Sequence, residues 1–117
     1  MDRLEHTLNH AAKNKRMDSR FVYVILCVDF VKIGIAVKPE SRLGNMQVGC
    51  PYELKMLAKY PSNNARHDER RLHKLLHSFH ARGEWFKIPD SLIALMVKAG
   101  SVGELMGDKP LITFKQR

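Results

Sequence analysis

The chain has 117 residues, 44% of them hydrophobic, which is enough for one compact domain with a modest core and too short for two domains. Its net charge of +8 favours a polyanionic partner. No apolar run reaches the length of about 20 residues that a transmembrane helix needs. The N-terminus also lacks the apolar core of a signal peptide, so we expect a cytoplasmic protein that makes no membrane contact.

Two cysteines, Cys27 and Cys50, lie among apolar neighbours without the spacing of a metal site. They indicate reduced, structural thiols, although a bridge between them stays open. The N-terminal residues predict a helix whose basic end forms a solvated arm. We therefore divide the chain into a helical basic arm (1–20), a folded domain (21–88), and a C-terminal helix and tail that pack on that same domain (89–117).

Two segments, Phe21–Cys27 and Phe30–Ala36, are rich in β-branched and aromatic residues and predict a hairpin around Val28-Asp29. A two-residue turn pairs Cys27 with Phe30. Any other turn length would move Lys32 onto the apolar face, so we favour this register. One face then carries apolar side chains only: Val22, Val24, Leu26, Val31, Ile33 and Ile35. The other, more polar face carries Tyr23, Ile25, Cys27, Phe30, Lys32 and Gly34.

The next elements are a short helix, a third strand and a long helix. Pro39 suits the first turn of a helix that extends to about Val48 and buries Leu43 and Met46. A third strand is predicted over residues 53–60. The longest helix is predicted over residues 65–79 or slightly beyond, with a buried face at Leu72, Leu75, Leu76 and Phe79.

A polar row borders that buried face: Glu69, His80, His73, Arg66, His77 and Arg70. Such a row is either the wall of a site or a solvated helix flank. After Arg82-Gly83 ends the helix, residues 84–88 predict a short strand or extended segment, and a last helix follows at residues 91–99. Together these elements predict an α/β (α+β) fold with a small three-stranded antiparallel sheet flanked by helices.

Five short motifs follow one another along these elements: Phe21-Val22-Tyr23, Lys32-Ile33-Gly34, Arg42, Glu69-x-x-x-His73 and Glu84 within Gly83-Glu84-Trp85-Phe86. In this order they resemble the GIY-YIG nuclease superfamily, in a divergent branch common in phage and bacterial genomes. The resemblance covers residues 21–88. It implies a GIY-YIG-like nuclease domain that acts in a bacterial or phage-infected cell.

The resemblance also implies an activity: metal-dependent endonucleolytic cleavage of nucleic acid, with DNA favoured over RNA. Glu84 would hold one Mg²⁺ or Mn²⁺, and the planar donor fork of Arg42 suits phosphate oxygens. Tyr23 would act as general base or position the attacking water. A phenol titrates at about pH 10, so the base role requires a lowered pKa. The predicted register places Lys32 to lower it, and contact of Lys32 with the phosphate is the alternative.

Further roles follow for the long helix and its surroundings. His73 would take or pass a proton, while Glu69 would orient His73 or lie near the metal. Arg66, Arg70 and Lys38 are the candidate nucleic-acid-binding residues. Because so small a domain has little surface for reading base pairs, specificity would be low or would come from a homodimer or a partner.

The chain departs from the superfamily pattern at three positions, and the departure in the second motif leaves the proton route open. Lys32 stands where the second motif has tyrosine, and Phe21 stands where the first has glycine. Met46 also replaces a histidine seen in some relatives. The motif residues have structural interpretations too: Tyr23 as a packed strand residue, Arg42 as a surface residue, and Glu84 as a loop carboxylate. For Trp85-Phe86, core packing is favoured over a base-stacking platform.

Three other functions stay open. A non-catalytic nucleic-acid-binding or regulatory module would share the fold and the charge. A zinc protein would use His73, His77 and His80, whose spacing places them on one helical side. An inhibitor of a host enzyme is a third alternative, which no residue supports directly.

Overall fold

The structure is a computed structural model that describes residues 19–107. The predicted basic arm, except for Ser19 and Arg20, and the tail beyond Gly107 lie outside the described residues. Within them the strands are β1 (Phe21–Cys27), β2 (Phe30–Ala36), β3 (Leu54–Pro61), β4 (His80–Arg82) and β5 (Trp85–Phe86). The helices are α1 (Pro39–Val48), α2 (Ala65–Leu75), α3 (Asp90–Lys98) and α4 (Val102–Met106), with a short 3₁₀ turn at His77–Phe79.

All strand pairs are antiparallel, and the sheet order is β3-β1-β2-β5-β4. The predicted hairpin register is confirmed, since Cys27 pairs with Phe30 and Tyr23 pairs with Gly34. Val28 in the turn has a φ of 56°, a left-handed conformation that is uncommon for a β-branched residue. The two-residue turn therefore forms without Asn-Gly, and Val28 adopts the positive φ that two-residue hairpin turns need at their first position.

The two faces of the sheet pack against different layers because side chains alternate along each strand. The apolar face and helices α2, α3 and α4 form the larger core, which includes Val22, Val24, Val31, Ile33, Leu72, Met96 and Val102. On the other face, Tyr23, Ile25, Ala36 and Leu54 form a second cluster, against which Leu43 and Met46 of α1 pack. The free thiols of Cys27 and Cys50 lie beside this cluster, with their sulfur atoms 4.0 Å apart.

The predicted three-stranded sheet is wrong, because the described residues form five strands. The two additional strands, β4 and β5, contain three and two residues and are too short to show an alternating pattern. They form because β5 adds to the free edge of β2, pairing Trp85 with Lys32 and Phe86 with Val31. Only the tertiary structure brings these distant segments together.

The predicted helix over residues 65–79 is also too long, because α2 ends at Leu75. The chain then passes through the 3₁₀ turn into β4. Just before β4, the Phe79 carbonyl accepts a backbone hydrogen bond from Lys87, which follows β5. Leu72 and Leu76 are buried as predicted, but Leu75 is 49% exposed. His77 and His80 therefore do not continue the helical row of Glu69 and His73. None of the helices in residues 19–107 combines the length and apolar character that crossing a membrane requires.

Candidate functional site

The candidate site lies over Gly34, at the centre of the sheet face that carries α1. Tyr23, directly opposite Gly34, is fully buried. A Cβ atom at position 34 would lie 2.5 Å from the Tyr23 hydroxyl oxygen and 3.0 Å from Oε1 of Glu84. Contacts this short are not tolerated. Glycine therefore leaves the space in which the phenol and the carboxylate meet.

Glu84 reaches this point because its backbone is held against β2. The amide of Ile33 donates to the Glu84 carbonyl at 3.0 Å, next to the β2–β5 pairs. Gly83, at a φ of 56°, makes the turn out of β4, and the His80 ring donates from Nε2 to the Gly83 carbonyl at 2.8 Å. The Lys32 amine lies 3.2 Å from Glu84 Oε1. The carboxylate is thus positioned by both backbone pairing and an ion pair.

Helix α2 supplies a second carboxyl group, that of Glu69, which faces Glu84 at hydrogen-bonding range. Burial, and then the charge of Glu84, raise the pKa of Glu69, whereas His73 and Arg66 act to lower it. Two carboxyl groups so close together repel each other when both are ionised. This repulsion adds to burial in raising the pKa of Glu69.

His73 anchors α2 to the sheet. Its Nε2 donates to the backbone carbonyl of Ile33 at 2.9 Å, and its ring packs edge-on against Phe86 with centroids 5.0 Å apart. Because this bond occupies Nε2, only Nδ1 is left for a proton transfer. The geometry supports a positioning role for His73.

Helix α1 places Arg42 beside the Tyr23 hydroxyl. Burial raises the pKa of Tyr23, and the Arg42 guanidinium only partly offsets this effect. The hydroxyl is buried and has no hydrogen-bond partner among the residues that the structure describes. A buried hydroxyl in this state can bond a water, an ion or a ligand.

The expectation that Lys32 lowers the pKa of Tyr23 is therefore wrong. The two residues share a sheet face as predicted, but the Lys32 amine pairs with Glu84 and lies 5.7 Å from the Trp85 ring centroid. Arg42 is the group that opposes the effect of burial, and the net direction is upward. A neutral phenol with its proton retained is suited to donate a hydrogen bond.

The predicted nucleic-acid-binding residues differ in their relation to this centre. Arg66 is near enough to Glu69 to lower its pKa. Lys38, before α1, and Arg70, on α2, are exposed.

The zinc alternative fails on geometry. The rings of His77 and His80 stack with centroids 6.4 Å apart, while His73 is bonded to the backbone of β2. In the described part of the chain, no three side chains of histidine, cysteine, aspartate or glutamate are grouped so that they could hold a metal ion. A zinc site of the usual three or four protein ligands is therefore not formed there.

A harder cation fits better. Mg²⁺ commonly takes one or two carboxylates and completes its shell with water and phosphate oxygens. The carboxyl groups of Glu69 and Glu84 supply such a pair, since the charge of Glu84, after burial, is a cause of the raised pKa of Glu69. The unpartnered Tyr23 hydroxyl lies beside them, where it could bond a metal-held water or a phosphate oxygen.

Comparison with known families gives one match. Residues 10–99 match the family model of the T5orf172 domain, a phage-associated domain in nuclease-related fold space. The matched span contains all the residues of the candidate site. It gives no direct evidence for the wider GIY-YIG superfamily. Neither a curated protein nor a solved structure matches the chain significantly.

Proposed function

The chain belongs to the T5orf172 domain family, and on that premise we propose that it is a metal-dependent endonuclease that hydrolyses phosphodiester bonds, in DNA in preference to RNA. The family supports a nucleic-acid-related role. The observation that carries the enzymatic proposal is the meeting of Tyr23, Glu69, Glu84 and Arg42 over Gly34. Carboxylates, a guanidinium and a buried hydroxyl are the groups that phosphodiester hydrolysis uses.

Glu84 and Glu69 would together hold one Mg²⁺ or Mn²⁺. When bound, such an ion polarises the phosphate and lowers the pKa of a coordinated water. Lys32, through its contact with Glu84 Oε1, keeps that carboxylate directed at the centre. Arg42 would bind the non-bridging oxygens of the scissile phosphate through its planar donors.

Tyr23 would orient the reaction instead of taking a proton. Its raised pKa keeps the proton on the hydroxyl oxygen, so it would donate a hydrogen bond to the attacking water or to a phosphate oxygen. His73 would fix α2, and with it Glu69, against β2 through its bond to the Ile33 carbonyl.

Cleavage assays test this proposal directly. Supercoiled plasmid and labelled single-stranded DNA and RNA are incubated with Mg²⁺ or Mn²⁺ and wild type, Glu84→Gln, Arg42→Ala or Lys98→Ala. Lys98 lies on α3 on the opposite sheet face, so its variant matches the charge loss of Arg42→Ala. We expect metal-dependent cutting that falls at least about 100-fold in the two site variants and stays unchanged in the control. Cutting by both site variants at the wild-type rate would refute the site.

A non-catalytic nucleic-acid-binding module is the second candidate, and the raised pKa of Tyr23 favours it, because that phenol is not activated as a base. Its signature would be nucleic-acid binding without cleavage under every metal condition. A thermal shift on adding Mg²⁺ that disappears in Glu84→Gln, together with no cutting, would indicate a metal-dependent binder.

A further inference from the structure

Trp85 does not lie in the core, although the sequence favoured core packing for Trp85-Phe86. In β5, Phe86 pairs with Val31 and is buried in the larger core, whereas Trp85 pairs with Lys32 on the opposite face. Trp85 is half-buried and belongs to neither core cluster of the described residues. The interpretation as a core residue is therefore correct for Phe86 and wrong for Trp85.

Two clefts flank the Trp85 side chain, because α1 covers only part of this sheet face. The outer cleft, of about 350 Å³, has Cys27, Phe30 and Ala81 as apolar walls and Arg82 at its edge. The inner cleft, of about 330 Å³, extends between Trp85 and α1 and includes Lys32. Both volumes lie at the lower end of the range of small-molecule sites.

The chemistry around Trp85 matches one kind of ligand. The indole offers a flat aromatic face, Phe30 is 39% exposed beside it, the Lys32 amine lies 5.7 Å from the indole ring centroid, and Arg82 is among the residues that line the outer cleft. An aromatic platform with basic side chains nearby binds a nucleobase by stacking, while the cations attract the adjoining phosphates. Glu84 directly precedes Trp85, so a base stacked there would lie next to the candidate active site.

We propose that the outer Trp85 cleft binds an unpaired nucleobase, and that the substrate is consequently a single strand or a duplex with an unpaired nucleotide at the cut. In an intact duplex both faces of a base are covered by its neighbours, so a stacking platform cannot engage them. This inference deepens the proposed nuclease function, and its statement about the substrate rests on that function. The binding step itself requires no cleavage.

Intrinsic fluorescence tests the binding step without any substitution, because Trp85 is the only tryptophan of the chain. Wild-type protein in EDTA is titrated with short single-stranded DNA, the same sequence as RNA, the duplex, and heparin as a polyanion without bases. We expect strong quenching by a single strand, DNA or RNA, and little by the duplex or heparin. Equal quenching by heparin or by the duplex would overturn the proposal.

Variants then test whether the Trp85 side chain contributes to the affinity for a single strand. Affinity for a dye-labelled single strand in EDTA is measured by anisotropy for wild type, Trp85→Leu, Trp85→Phe and Leu95→Ala. We expect Trp85→Leu to bind on the order of ten-fold more weakly and Trp85→Phe to recover most of the loss. Leu95→Ala trims an exposed apolar side chain on α3 and should bind like wild type. Unchanged affinity in Trp85→Leu would also overturn the proposal.

The two proposals fail separately. Quenching and weakened binding in a protein that never cuts would leave the nucleobase site standing and remove the nuclease. Cutting of duplex and single strand at equal rates, unaffected by Trp85→Leu, would keep the nuclease and remove the nucleobase site. Urea unfolding of each variant shows whether it is folded under the assay conditions.

Discussion

Two buried tyrosines on neighbouring strands, Tyr23 and Tyr60, differ in what surrounds their hydroxyl groups. Tyr60 pairs with Val22 and faces the larger core, where its hydroxyl donates to the carbonyl of Met96 in the last turn of α3. Tyr23 is just as buried but faces α1, and its hydroxyl has no partner in the described part of the chain.

Burial raises both pKa values, that of Tyr60 to about 12. The charge of Glu104 adds to the effect of burial on the pKa of Tyr60, whereas Tyr23 lies among Arg42, Glu84 and Glu69. The same residue type therefore caps a helix on one face and lines a charged centre on the other. The difference teaches that burial alone does not distinguish the two tyrosines, whereas the bonding of the hydroxyl does.

Removal of the Tyr23 hydroxyl should give the largest effect on activity. Since the hydroxyl has no hydrogen-bond partner within residues 19–107, Tyr23→Phe should change the free energy of unfolding by less than about 0.5 kcal/mol. Cleavage should fall about 100-fold because the donor to water or phosphate is lost. Urea unfolding and cleavage rates of the same preparation measure both. A large loss of stability with unchanged cutting would make Tyr23 a structural residue like Tyr60.

Filling the space beneath the Tyr23 hydroxyl should damage both stability and activity. Gly34→Ala places a methyl group against the phenol and Glu84, so we expect a loss of about 1–3 kcal/mol and displacement of both groups. Gly44→Ala is the matched control. It lies in α1 with no atom within 4 Å of the added carbon and should stabilise the protein by up to about 1 kcal/mol. Wild-type stability in Gly34→Ala would show that the close approach does not exist.

For Tyr60 we expect the opposite of Tyr23, which is a loss of stability without a loss of activity. Tyr60→Phe removes the donor to the Met96 carbonyl and should cost about 1–2 kcal/mol. Cleavage under conditions where the variant is folded should be unchanged, because Tyr60 lies on the other face of the sheet. A loss of cleavage in the folded variant, as large as that of Tyr23→Phe, would remove the distinction between the two tyrosines.

The smallest effect should be a change in the pH dependence of stability at Glu69. The raised pKa means that the folded state holds a proton more tightly than the unfolded state, in which the value is near 4.5. Stability is therefore lost as pH rises from about 4.5 through the folded pKa. Without divalent metal, Glu69→Gln should lack this loss and be more stable than wild type at neutral pH.

Urea unfolding across this pH window provides the measurement. Glu53→Gln removes the same charge from an exposed position and serves as the control. Excess Mg²⁺ should restore wild-type stability at neutral pH, because a bound cation removes the repulsion between Glu69 and Glu84. A wild-type pH profile in Glu69→Gln would contradict the close carboxyl pair.

The central hairpin of the sheet was predictable from local sequence patterns. The hairpin register followed from the alternation of apolar residues and the position of Lys32, and the opposite faces of Tyr23 and Val22 followed from that register. Resemblance to known motifs indicated Tyr23, Arg42, Glu69 and Glu84 as candidate site residues, although the motifs do not show that these side chains lie close together. The strand count and the end of α2 were not predictable, because β4 and β5 are too short to carry a periodic signal.

The sequence by itself determined which residues could serve chemistry and which face of the hairpin each would occupy, because alternation along a strand is a local property. Only the tertiary structure decided how those residues act on each other. Pairing of β5 with β2 brings Glu84 to Lys32 and Glu69, and turns Trp85 away from the core. Burial of Tyr23 beneath α1 raises its pKa where the sequence suggested a decrease. Desolvation and ion pairing depend on distances between segments far apart in the chain, and folding alone sets those distances.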